Sequence, residues 1–83
     1  MQFTEERLKE IILEGAKVKL PAESIVAETD LIADLGYDSI SLIKLLSDTE
    51  KAFEIRFEDE ELVVDVISKY GRLKESIMNK LSI

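Results

Sequence analysis

The sequence contains neither cysteine nor histidine. Without cysteine it has no disulfide framework, no thiolate metal site and no thiol nucleophile, a composition compatible with a reducing cytoplasm. Without histidine, a Ser-His-Asp arrangement, a Cys-His pair and a His-ligated zinc site are all excluded. Long apolar runs are missing as well. The longest are two or three residues, too short to span a membrane. The opening "MQFTEERLKE" lacks the basic start and apolar stretch of a secretory signal. Proline occurs once, at Pro21, where it breaks any helix.

What is present is a mixture of 46% hydrophobic and 35% charged residues, as in a soluble globular domain. The 83 residues suffice for one domain, expected to span 1–83. A chain of this size buries roughly 60% of its unfolded surface, which gives one modest core and no deep pocket. Carboxylates are plentiful, but a domain that cannot enclose a substrate is not expected to be an enzyme.

Net charge is −7 and unevenly spread. Between Glu28 and Asp65 twelve acids face three bases, whereas the two flanks together hold six acids and eight bases. This central acidity repels nucleic acid and anionic membranes and attracts basic protein surfaces. It also serves solubility. A monomer without membrane insertion is expected.

The spacing predicts an all-α chain. Thr4 suits the N-cap of a first helix, with Glu5 and Glu6 in its first turn and Phe3 placed to staple onto Leu8. Leu8, Ile11, Ile12 and Gly15 share one face, and Lys17 and Lys19 follow near the C-terminal end. A long connection comes next, "VKLPAESIVAETDLIADLGY", whose apolar residues Val18, Leu20, Ile25, Leu31, Ile32 and Leu35 argue for packing. Gly36 marks a sharp turn or a close backbone approach. A second helix is expected from Ser39 to Phe53 with Asp38 as N-cap, burying Leu42, Leu45, Leu46, Thr49 and Phe53. Ile40, Ile43 and Ser47 form another stripe, either second-side core or a docking surface.

Phe53, Ile55 and Phe57 alternate like a strand but have no partner strand, so an extended loop is expected. Asp59 then caps a short third helix over roughly Glu60 to Asp65. Ser68 caps a last helix to about Leu81, with Tyr70, Leu73, Ile77 and Leu81 at core spacing. Gly71 in its first turn weakens that start by about 1 kcal/mol relative to alanine.

Ser39 stands at the mouth of the second helix, where backbone N–H groups lack intrahelical partners and the dipole end is positive. A phosphate esterified there would be stabilised. Asp34 and Asp38 add negative charge suited to a divalent metal or a basic partner. Asp and Ser are also common at helix starts simply because they cap.

The stretch "DLGYDSISLIKLL" followed by "EKAFEIRFEDEE" resembles the acyl carrier protein family, the phosphopantetheine-carrying domains of fatty acid, polyketide and nonribosomal peptide synthesis. Asp34, Leu35, Gly36, Asp38 and Ser39 match the attachment motif DLGxDS, and the likeness runs from the first helix to Leu81. The resemblance implies a four-helix bundle of acyl-carrier-protein type with a long first loop and a short third helix. It implies that Ser39 receives 4'-phosphopantetheine from coenzyme A through a separate phosphopantetheinyl transferase using magnesium, so no internal base is needed. The arm's thiol would hold an acyl or aminoacyl intermediate as a thioester and present it to an acyltransferase, ketosynthase or ligase-type enzyme.

By the same resemblance, Asp38 contacts the transferase, Gly36 shapes the presenting loop, and Ile40 and Ile43 meet partner enzymes. Partner recognition is expected from Asp34, Gly36, Asp38, Ile40, Ile43, Glu50, Glu58, Asp59, Glu60 and Glu61. The chain departs from the fatty acid type at Ser41 and Lys44, where acids are expected, which points to a more specialised pathway. Other readings are a peptidyl carrier of nonribosomal peptide synthesis and a small acidic helical interaction domain without a prosthetic group. Calcium binding around Asp30 to Asp38 is disfavoured, since the loop lacks EF-hand spacing.

Overall fold

The computed structural model describes residues 3–58 and 67–81. These residues are all-helical, with no strand: α1 spans Glu5–Gly15, α2 Ser39–Phe53 and α3 Tyr70–Lys80, and a 3-10 turn at Ala22–Ser24 interrupts the long first connection. The expected short helix from Glu60 to Asp65, with Asp59 as its cap, lies outside the described residues.

The first two helices begin where local chemistry dictates. Thr4 Oγ1 accepts from the Arg7 N–H at 3.1 Å, and Asp38 caps α2. The C-terminal end of α1 is finished by side chains, with Lys19 Nζ donating to the Leu13 carbonyl at 2.6 Å. Phe3 lies against Phe53, their ring centroids 5.3 Å apart, and so ties the chain before α1 to the end of α2.

The start of α3 corrects the expectation for Ser68. The N-cap position is Lys69, whose side chain makes no capping bond. Ser68 is buried, and its carbonyl accepts from the Leu31 N–H at 2.6 Å. The capping comes instead from the loop backbone: Tyr70 N–H donates to Thr29 O at 2.9 Å and Gly71 N–H to Ala27 O at 3.0 Å. Two first-turn donors that a helix leaves orphaned are thus satisfied from across the molecule. Asp30 and Lys69 form an isolated antiparallel bridge beside them.

The core draws on all three helices. From α2 the buried residues are Leu42, Leu45, Leu46, Thr49 and Phe53, as the periodicity predicts. Leu8, Ile11 and Ile12 of α1 and Tyr70, Leu73 and Ile77 of α3 join them. The connection contributes Ile25, Leu31, Leu35 and Tyr37. Its other apolar residues do not all pack: Val18 is 46% and Ile32 37% exposed. After α2, Glu54 adopts a left-handed conformation (φ 56°). Ile55 and Phe57 then turn inward without forming a strand.

Tyr70 also holds α1 to α3. Its hydroxyl donates to Glu5 Oε2 at 2.8 Å, and Lys74 pairs with Glu5 Oε1 at 3.3 Å. The Tyr70 hydrogen bond, with help from Lys74 and Lys9, holds the Glu5 carboxyl below its ordinary range.

Candidate functional site

The chain reaches Ser39 through a turn built by Asp30. Its Oδ1 accepts from the N–H groups of Ile32 and Ala33 at 2.8 and 3.0 Å, while Asp34 Oδ2 accepts from the Asp30 N–H at 2.8 Å. The two loop carboxylates therefore act as caps on neighbouring backbone. Among the described residues no three acidic side chains converge to hold a metal ion.

Gly36 ends this turn at φ 79°, a left-handed conformation that favours glycine. A Cβ there would stand 3.0 Å from Lys17 Cβ. The close approach exists because the N–H groups of Lys17 and Val18 both donate to Leu35 O, at 3.0 and 3.1 Å. Tyr37 is buried beneath the turn and Asp38 is exposed above it.

Asp38 and Ser41 form a reciprocal capping box. Asp38 Oδ1 accepts from the Ser41 N–H at 2.8 Å, and the Asp38 N–H donates to Ser41 Oγ at 2.8 Å. The Ser41 hydroxyl also lies 3.0 Å from Oδ1, and Lys17 Nζ lies 3.1 Å from Oδ2. Chiefly through the Ser41 N–H, then Lys17 and the Ser41 hydroxyl, the Asp38 carboxyl is held down at about 2. Ser41, which stands where the resemblance leads one to expect an acid, is thereby recruited to build the helix mouth.

Ser39 is the first residue of α2 and is exposed. Beside it opens a pocket of about 280 Å³ whose lining includes Leu42, Ile43, Leu46 and Ile67. An exposed hydroxyl with an apolar hollow alongside, at a helix N-terminus, fits a phosphodiester-linked arm of mixed polarity. Negative charge esterified to that hydroxyl would be stabilised by the positive end of α2.

The remaining expected residues divide. Ile40 is 81% and Ile43 66% exposed, so this stripe is not second-side core. Glu50 lies 11 positions beyond Ser39, about 16 Å along the helix, and lines the far side of the same pocket. Its Oε2 accepts from the Phe57 N–H at 2.9 Å, so it shapes the turn after α2. Glu58 is exposed, while Asp59, Glu60 and Glu61 lie outside the described residues. The residue that sequence reasoning missed at this site is Lys17, 21 positions from Asp38, whose role no local pattern could signal.

Comparison with known proteins identifies the family. The family described as "Phosphopantetheine attachment site" matches residues 6–69. The acyl carrier protein of Saccharopolyspora erythraea is 39% identical over 57 residues, which cover 69% of this chain and 58% of that protein. That of Desulforapulum autotrophicum is 35% identical over 57 residues, 69% of this chain and 73% of the relative. That of Syntrophus aciditrophicus is 38% identical over 58 residues, 70% of each. With a helix-mouth serine beside an apolar hollow and a family match over most of its length, the chain belongs to the acyl carrier protein family, whose covalently attached prosthetic group is 4'-phosphopantetheine.

Proposed function

We propose that Ser39 is the attachment point and that the chain acts as a carrier rather than a catalyst. The observation that carries this reading is the exposed Ser39 hydroxyl at the start of α2, within the segment matched by the attachment-site family. A phosphopantetheinyl transferase activates that hydroxyl. The bond formed joins Ser39 Oγ to the phosphorus of phosphopantetheine, the bond broken is the pyrophosphate linkage of coenzyme A, and adenosine 3',5'-bisphosphate leaves with the bridging oxygen. The serine proton passes to the transferase, which explains why a chain without histidine suffices. The arm supplies a thiol that holds acyl cargo as a thioester.

The chain's own residues position the reaction. Gly36 allows the turn, Asp38 and Ser41 fix the helix mouth, and Ile40 and Ile43 offer an apolar face to the enzymes that load and unload the cargo. In α2 the two bases Lys44 and Lys51 balance the two acids Asp48 and Glu50. Such a neutral helix favours partners that dock on apolar contact over those that rely on charge. This supports a specialised polyketide, nonribosomal peptide or unusual lipid pathway.

Incubation with coenzyme A, magnesium and a broad-specificity transferase should add one phosphopantetheine, read by mass spectrometry, and Ser39→Ala should abolish the adduct. A folded wild-type chain left unmodified by several transferases would overturn the proposal.

A further inference from the structure

We infer that Lys17 sets how readily the loading enzyme engages this chain, by occupying the Asp38 oxygen that the α2 cap leaves over. The inference rests on the reading of Ser39 as the attachment point. Asp38 has two carboxylate oxygens with different employment. Oδ1 receives both the N–H and the hydroxyl of Ser41. Oδ2 receives Lys17 Nζ at 3.1 Å.

The capping box alone aims the carboxylate, so Lys17 is not required to orient it. Lys17 is held close for another reason: its N–H donates to Leu35 O at 3.0 Å, and its Cβ abuts Gly36. The stem of this side chain therefore starts against the turn that presents Asp38. Neighbouring Asp34 already spends one oxygen on the Asp30 N–H. Asp38 is thus the carboxylate next to Ser39 in sequence, and an ammonium neutralises it.

A transferase that uses the Asp38 carboxylate, as the family resemblance implies, must first displace that ammonium. Once engaged, the enzyme works on Ser39 without further reference to Lys17. The effect falls on KM for the chain and leaves kcat unchanged. Both partners are more than half exposed, so solvent screening keeps the effect modest.

Loading kinetics with saturating coenzyme A and magnesium, varying the carrier, test this. Lys17→Gln and Lys17→Met are each expected to lower KM about two- to fivefold with kcat unchanged, a gap that narrows as salt is added. Lys17→Arg keeps the wild-type KM. Lys51→Gln makes the same change in net charge about 18 Å further along α2 and leaves KM unchanged. The inference is overturned if the Lys17 variants leave KM unchanged or raise it, or if Lys51→Gln lowers it equally. A wild-type chain that is never loaded overturns this inference and the attachment reading together.

Discussion

The Tyr37 hydroxyl donates a 2.6 Å hydrogen bond to the Ile12 carbonyl, joining the turn before α2 to the last turn of α1. A Cβ on Gly15 would lie 2.7 Å from the same hydroxyl, so glycine at that position makes room for the phenol. Tyr37→Phe should destabilise the fold by about 1–2 kcal/mol by leaving a helix-end carbonyl without its donor. Urea denaturation measures this. Burial, with smaller contributions from Asp48 and Glu14, pushes the Tyr37 hydroxyl up to about 12 from its ordinary 10. The folded state therefore keeps a proton that the unfolded chain releases, and stability is full below pH 10 and falls as pH rises towards 12. Tyr70 is shifted the same way, mainly by burial and then by its bond to Glu5. Tyr37→Phe should accordingly soften the alkaline loss without removing it.

Gly36→Ala should destabilise the chain by about 1–3 kcal/mol, because the left-handed backbone penalises a side chain and the new methyl meets Lys17 Cβ. It should also slow loading at Ser39, since the turn that sets the start of α2 must shift. An unchanged denaturation midpoint would contradict the strain assigned to this turn.

Gly71→Ala has an unexpected sign. Helix propensity alone predicts a gain of about 1 kcal/mol. The added Cβ, however, would lie 2.9 Å from Ala27 Cβ and 3.0 Å from Ala27 O, the carbonyl that accepts the Gly71 N–H. Overpacking against backbone should outweigh propensity, leaving a net loss of about 1 kcal/mol or more by thermal or urea unfolding.

Ile40→Asp and Ile43→Asp separate docking from stability. Both side chains are exposed, so unfolding free energies should change by less than about 0.5 kcal/mol. If the face meets partners, kcat/KM for loading should fall about fivefold or more, equivalent to about 1 kcal/mol. Unchanged loading in both variants would remove α2's apolar stripe from the recognition surface.

Lowering pH acts at the mouth of α2. The Asp38 carboxyl, held down at about 2 by the Ser41 N–H and Lys17, contributes stability that is present above its unfolded value near 4 and is lost as pH falls towards 2. Amide exchange of the first turn of α2 should accelerate across that window, and Asp38→Asn should blunt the dependence.

Much of this chain was legible because its determinants are local. Thr4 and Asp38 cap the residues three positions ahead of them, and Leu42, Leu45, Leu46, Thr49 and Phe53 recur at helical spacing. These features need only neighbours within one or two turns. The same logic misplaced the cap of α3, since Ser68 looks like a cap while the true acceptors, Thr29 and Ala27, lie some 40 residues earlier. It likewise could not choose between core and surface for Ile40 and Ile43, because periodicity marks a stripe without saying what covers it.

The sequence by itself determined where α1 and α2 begin, the main buried face of each, and that Ser39 stands at a helix mouth without a histidine to activate it. Only the tertiary structure decided that Lys17 meets Asp38, that Tyr37 closes onto Ile12, and that Gly71 lies against Ala27. The physical reason is range: helix caps and apolar periodicity are encoded over a few residues, whereas ion pairs, buried hydroxyls and close backbone approaches depend on which distant segments the core brings together.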